Sequence, residues 1–164
     1  MSASPSSPSS IQALWDRLSP WPGGRWLFGV ILAHRVPYSG TVRPRVRELA
    51  PGRARVSVRD RRAIRNHLRS VHAVALANLG ELATGLAMIG ALPSTVRGIL
   101  VGLEVEFHKK ARGSLAATCS CSVPHVTEDM EQDAVAEIRD ESGDVVATVT
   151  ARWRLGPIPT GKAP

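Results

Sequence analysis

Cysteine is scarce in this 164-residue chain, which has only Cys119 and Cys121. They lie two residues apart in a run typical of a β-strand, where the backbone is extended and side chains at i and i+2 point the same way. Such a pair suits neither an ordinary disulfide nor the four well-spaced ligands of a structural zinc site. We therefore expect no metal site, and a reducing, cytoplasmic location.

Aromatic residues make up only 4% of the chain, although its formal net charge is +7 and ten arginines fall between positions 43 and 69. A basic balance favours a polyanionic partner, such as nucleic acid, an acidic membrane surface or a phosphorylated small molecule. An arginine-rich genome would produce the same composition. The arginine-rich region lacks the aromatic platforms of single-strand binders and any recognition-helix signature, so we expect no nucleic-acid partner.

Long hydrophobic runs are also few. The apolar stretch at 73–92 consists largely of alanine and glycine, and it holds Asn78 and Glu81 near its centre. An acid at the centre of a membrane span costs about 2.5–3.5 kcal/mol on insertion scales. The run "WLFGVILA" at 26–33 has the length of a signal-peptide core, but it begins late, after proline and glycine. We expect no membrane span, and a buried helix at 73–91 that ends before Pro93.

Segment composition predicts four parts of the chain. Ser/Pro-rich residues 1–10 are expected to form a disordered tail, and residues 157–164 a C-terminal tail. Residues 11–40 are expected to form an N-terminal helical extension, with short helices at 11–18 and 26–34 and a loop at "VPYSG". Residues 41–156 form the main domain.

The main domain alternates between strand-like and helical periods. Two short alternating strands precede the long helix, and four strands follow it, the last two joined through "ESGD". The order β-β-α-β-β-β-β favours an α+β fold with one antiparallel sheet packed on one helix. Alternation in the first strand after the helix predicts one shared face for five residues: Ile99, Val101, Leu103, Val105 and Phe107. Alternation in the last strand predicts an inner stripe: Val145, Ala147, Val149, Ala151, Trp153 and Leu155.

Glu81 is the only formally charged residue between positions 73 and 96. Two interpretations remain open. Either the acid lies at the helix surface and meets solvent or an arginine, or it is buried, its pKa is raised by desolvation, and it acts as a base or nucleophile. Asn66 and His72 precede the helix, and the free N–H groups near Ala73 and Val74 would bind an oxyanion, which favours the second interpretation.

Helix geometry then constrains how these groups act. Glu81 lies eight residues beyond Ala73, about 12 Å along a helix. A reacting carbon must lie about 3 Å from both the base and the oxyanion donors. We therefore predict a homodimer in which two such helices run antiparallel across a twofold axis and build composite sites; a tetramer formed as a dimer of dimers stays open.

The spacing of Asn66, His72 and Glu81 resembles a motif of the hotdog-fold acyl-CoA thioesterases, in the branch of the phenylacetate-pathway and 4-hydroxybenzoyl-CoA enzymes. That motif has Asn or Gln, then "HGG" six residues on, then an acid nine residues after the histidine. The strand order and "EFHKKARGSL" are also similar, over about 41–155. The resemblance implies a hotdog fold, in which the sheet wraps the long helix, and hydrolysis of an acyl-CoA to free acid and CoA. Here "HGG" is replaced by His72-Ala73-Val74, and Arg69 stands where glycine is common.

The resemblance also implies residue roles. Glu81 would be the general base or the nucleophile of an anhydride route, the Ala73 N–H would polarise the thioester carbonyl, and Asn66 would orient water or the carbonyl. His72 would order the loop through a hydrogen bond, and Thr84, three residues after the acid, would share its face. Coenzyme A is then part of the substrate and no cofactor is expected. Five basic residues would contact its phosphates: Lys109, Lys110, Arg112, Arg61 and Arg62.

Two alternatives remain. A non-catalytic hotdog module would hold acyl-CoA or a fatty acyl chain without turnover, and the loss of both glycines after His72 favours it. A hotdog dehydratase would need a histidine and the acid in one site, which His72 does not obviously provide.

Overall fold

The computed structural model describes residues 9–158. Three helices come first, and one long helix and six strands build the main domain. The helices are α1 (Ser10–Leu18), α2 (Gly24–Arg35), α3 (Pro37–Gly40) and α4 (Ala73–Ile89). The strands are β1 (Arg45–Ala50), β2 (Arg53–Val58), β3 (Val96–Phe107), β4 (Leu115–Ser120), β5 (Met130–Arg139) and β6 (Val145–Pro157).

One antiparallel sheet carries all six strands, in the order β1-β2-β4-β5-β6-β3. Helix α4 packs across it and contacts every strand. Gly80 permits the closest approach, because a Cβ at that position would lie 2.3 Å from the side chain of Val149 on β6. The predicted α+β fold, with a hotdog sheet around one long helix, is confirmed.

Strand β3 departs from the predicted facing. A β-bulge between Leu100 and Gly102 shifts its register against β6. Beyond the bulge, Leu103 pairs with buried Ala151, whereas Ile99 pairs with exposed Arg154. Because directly paired residues share a face, the prediction that Ile99 shares a face with Leu103, Val105 and Phe107 is wrong, and Val101 lies in the bulge without a partner on β6. The predicted inner stripe of β6 is buried from Ala147 to Leu155.

The N-terminal extension begins earlier than predicted. Ser9 is buried and caps α1: its hydroxyl accepts from the Gln12 N–H and donates to the Gly90 carbonyl at 2.6 Å. Residues 9 and 10, placed by the sequence in a disordered tail, are thus anchored to the end of α4; residues 1–8 lie outside the described residues. The "VPYSG" loop contains a one-turn helix, α3, which Pro37 starts with a preset φ.

Strand β6 ends at Pro157, which pairs with Val96 on β3, one residue beyond the predicted end of the main domain at 156. The predicted tail at 157–164 therefore overlaps the strand, and residues 159–164 lie outside the described part. Between residues 9 and 158, no helix combines the length and apolar character needed to cross a bilayer.

Candidate active site

Helix α4 has one partly open stripe. Its half-exposed positions recur every four residues, at Ala77, Glu81, Gly85 and Ile89, whereas most of the positions between them are buried. Ala73, the first residue of the helix, continues this line and is exposed. The only charged side chain of α4 therefore lies at the middle of a stripe that stays partly open along the helix.

The Glu81 carboxyl group lies in a partly desolvated position, and this burial raises its pKa above the ordinary value of 4.5. Within residues 9–158 it makes no ion pair or side-chain hydrogen bond. The Trp153 ring adds to the apolar surroundings: a Cβ at Gly85 would lie 3.9 Å from Glu81 Oε1 and 3.2 Å from that ring. Of the two interpretations, the structure favours a desolvated acid without a counter-ion.

The N-terminus of α4 offers one donor where the sequence indicated two. His72 is the N-cap, and its Nδ1 accepts a 3.2 Å hydrogen bond from the Val74 N–H. The Ala73 N–H has no hydrogen-bond partner among the described residues. The His72 side chain therefore caps the helix, and the Ala73 N–H is left as the free donor.

Asn66 holds the loop that precedes α4. Its Oδ1 accepts hydrogen bonds from the Leu68 and Ser70 N–H groups, at 3.0 and 3.1 Å. Arg69 lies between them with φ of +56°, a left-handed conformation that explains why glycine suits this position. The Asn66 Nδ2 has no partner within the described chain, and Asn66, Ala73 and Lys110 line a cavity of about 370 Å³.

Thr84 does not join this group. Its side chain is fully buried, and its hydroxyl donates to the main-chain carbonyl of Glu81 at 2.8 Å. This local bond turns the hydroxyl along the helix backbone, so Thr84 does not share the open stripe with the Glu81 carboxyl group.

The five basic candidates divide into two groups. Lys109 Nζ donates to Asp140 Oδ2 at 2.8 Å and to Asp144 Oδ2 at 2.5 Å. Both hydrogen bonds raise the pKa of Lys109, and the bond to Asp140 has the larger effect. Arg61 donates to the Thr41 carbonyl. Both are engaged by the protein itself. Lys110, Arg112 and Arg62 are exposed and make no ion pair in the part of the chain described.

The sequence did not predict how β3 would be exposed. β3 is an edge strand, and its inner face leaves Leu103 43% and Phe107 54% exposed. Phe107, at the end of β3, lines the same cavity as Ala73, at the start of α4. At the other end, a Cβ on Gly98 of β3 would lie 3.3 Å from the side chain of Ile89 on α4. The open stripe of α4 therefore runs antiparallel to β3, with Glu81 alongside the middle of an apolar sheet edge. A glycine inside a strand often marks a bulge, so Gly102 could have predicted the bulge that determines which β3 side chains lie on this face.

Residues 24–155 match the family described as a domain of unknown function, DUF4442. The chain belongs to the DUF4442 family. No curated protein matches it.

Solved structures share the fold of this DUF4442 domain. A structural-genomics crystal structure is 25% identical with a TM-score of 0.78, and the match covers 90% of this chain and 99% of that one. A Pseudomonas aeruginosa protein of unknown function, described as a probable thioesterase, is 21% identical with a TM-score of 0.72, over 84% and 97% of the two chains. A thioesterase family protein from Silicibacter pomeroyi is 22% identical with a TM-score of 0.68, over 79% and 96%. These likenesses establish a hotdog fold for the DUF4442 domain.

Proposed function

We propose that this DUF4442 domain hydrolyses acyl-CoA thioesters to the free acid and CoA, in composite sites of a homodimer. The proposal rests on the Glu81 carboxyl group, which is partly desolvated and has no counter-ion in the described chain, on the partly open stripe of the central helix. Burying an acid in this way costs folding free energy, so its presence here is better explained by chemistry than by stability.

In the proposed reaction, ionised Glu81 takes a proton from water as the water oxygen attacks the thioester carbonyl carbon. The carbonyl oxygen gains negative charge, which the Ala73 N–H stabilises. The C–S bond then breaks, the CoA sulfur takes the proton, and the acid leaves. Direct attack by the carboxylate, through an anhydride that water then opens, gives the same products. Asn66 Nδ2 would orient the water or the carbonyl.

The dimer follows from the separation of these two groups. Ala73 and Glu81 lie about 12 Å apart along one helix, too far to act on one carbonyl. Two copies paired antiparallel along the β3 edge would bring two α4 helices side by side in opposite directions. If the twofold axis passed beside Ala77, midway between Ala73 and Glu81, each Glu81 would lie level with the partner's Ala73. The exposed apolar face of β3 supports such a contact.

The substrate's phosphates need cations outside the acyl site. Lys110 is the strongest candidate because it lines the cavity beside Asn66 and Ala73 and has no carboxylate partner in the described chain. Arg112 and Arg62 are secondary candidates, whereas the charge of Lys109 is already balanced by Asp140 and Asp144. No further cofactor is needed, and a cytoplasmic location stays a prediction.

A non-catalytic acyl-CoA-binding module is the second candidate function. The hydrogen bond from the Val74 N–H to His72 leaves one donor at the helix start, and the Val74 side chain is 51% exposed there. One donor and an added side chain would weaken an oxyanion hole more than they weaken ligand binding.

Turnover of an acyl-CoA panel, measured with wild type, Glu81→Gln and Glu128→Gln, tests the proposal. Loss of a general base costs about 10²–10⁴-fold in rate, so Glu81→Gln should fall by this amount. Glu128 is exposed, so its matched substitution should leave the rate unchanged. Equal activity in all three proteins would contradict the role of Glu81. Micromolar binding by calorimetry without turnover in any of them would favour the binding module.

A further inference from the structure

The N-terminal extension forms a groove between α2 and residues 40–45, with a volume of about 290 Å³. Gly29, Val30 and Ala33 of α2 line it with small and apolar surface, and three arginines line it with positive charge: Arg25, Arg43 and Arg45. No acidic residue lines this groove. We call these residues, together with Trp26, the arginine-rimmed groove.

Helix α2 has two apolar faces. Phe28 and Leu32, four residues apart, are buried in the core. Trp26 and Val30, also four apart, lie on another face and are 71% and 45% exposed. Trp21, in the turn before α2, is likewise 71% exposed. An indole and a β-branched side chain this exposed beside an apolar groove form a surface suited to a partner.

Charge is concentrated in the same region. Residues 9–45 contain five arginines and one acid, Asp16, a net charge of +4, whereas residues 46–158 contain 15 cations and 13 acids, a net charge of +2. Arg43 and Arg45 make no ion pair or side-chain hydrogen bond within the described chain. By contrast, the larger cavity on the outer sheet face sets Glu48, Asp140 and Glu141 among its arginines. The arginine-rimmed groove therefore combines unbalanced positive charge with exposed apolar side chains.

We propose that the arginine-rimmed groove docks this protein on an anionic membrane surface. Trp26 and Val30 enter the boundary between headgroups and acyl chains, and Arg43 and Arg45 contact lipid phosphates. Tryptophan is favoured at that depth because its ring is apolar and its N–H is polar. A second copy fits less well, since a twofold contact would set the arginines of one protomer against the same arginines of the other.

Arg43 supplies a useful variant. Its φ is +52°, a left-handed conformation that costs an arginine free energy and that glycine adopts without steric cost. Arg43→Gly therefore removes a groove charge while relieving backbone strain, and circular dichroism should show that the variant is folded like wild type. This inference does not depend on the proposed hydrolysis.

The test is co-sedimentation of the full chain with phosphatidylglycerol/phosphatidylcholine vesicles and with pure phosphatidylcholine vesicles. We expect binding to the anionic vesicles that weakens as salt is raised, and about a fivefold loss of affinity for each of Arg43→Gly and Arg45→Gln. Trp26→Ala should also weaken binding. Tryptophan emission should shift to the blue on binding, because Trp21 and Trp26 are exposed whereas Trp15 and Trp153 are buried.

Arg97→Gln and Val135→Ala are matched controls, because both residues are exposed on the outer sheet face, away from the groove. They should bind vesicles like wild type. The proposal is overturned by equal sedimentation with neutral vesicles, by no sedimentation with either, or by equal losses in the control and groove variants. Binding of single-stranded RNA without vesicle binding, or a groove variant that changes only the oligomeric mass, would also overturn it.

Discussion

Two regions of this chain carry charge that no nearby opposite charge balances. One is negative and partly desolvated, and the other is positive and exposed. On α4 a single carboxyl group lies half-buried, with no ion-pair partner in the described structure. In residues 9–45, five arginines accompany one acid, and all five arginines are exposed. An unbalanced charge in a desolvated position costs free energy and shifts a pKa, whereas exposed charges cost little and act at a distance. The first arrangement therefore suits a reaction, and the second suits attraction to an anionic surface.

Ala73→Pro should greatly lower kcat at the α4 site and leave vesicle binding by the arginine-rimmed groove unchanged. Proline is tolerated at the first position of a helix, and His72, with φ of −65° and ψ of 142°, already has the conformation that a following proline requires. The variant should fold and lose only the Ala73 N–H, so kcat should fall by about 10²–10³-fold. Circular dichroism and vesicle binding should match wild type. Unchanged kcat would remove Ala73 from the mechanism.

The next prediction compares two neighbouring lysines. Lys110→Gln should raise KM for acyl-CoA by about three- to tenfold, more at low salt, because its exposed ammonium would contact phosphate. Lys109→Gln should leave KM nearly unchanged, since Asp140 and Asp144 already balance that charge. Steady-state kinetics at two ionic strengths measures both. A larger effect at Lys109 would contradict the assignment.

The fold was predictable to a large extent, and the site only in part. The lone Glu81 in an apolar run, and its spacing from His72 and Asn66, identified the central helix and its acid. The bulge in β3 was missed because apolar residues alternate straight through it, from Ile99 to Leu103. The engagement of Lys109 was missed because its partners lie about thirty residues away, at the β5–β6 turn. Such pairings depend on strand register, which local sequence does not determine.

The smallest expected effect concerns stability. Burial raises the pKa of Glu81 in the folded protein, so ionisation opposes folding once pH rises above the unfolded-state value. Glu81→Gln should therefore unfold at a higher temperature than wild type at neutral pH, by about 2–4 °C for each kcal/mol regained. The gain should vanish below the pKa of an unfolded glutamate, where the acid is neutral in both states. Thermal melts across pH test this, and a destabilised variant at neutral pH would show that Glu81 has a stabilising partner.

In the proposed mechanism, each site combines Glu81 of one protomer with the Ala73 N–H of the other. Glu81→Gln and Ala73→Pro proteins, each inactive alone, can be mixed under conditions that exchange subunits. A mixed dimer then has one site with both changes and one site with neither, so random mixing should restore about a quarter of wild-type activity. If the mixture stays as inactive as its components while mass measurements show that mixed dimers form, the two groups do not act across the interface and the composite site is wrong.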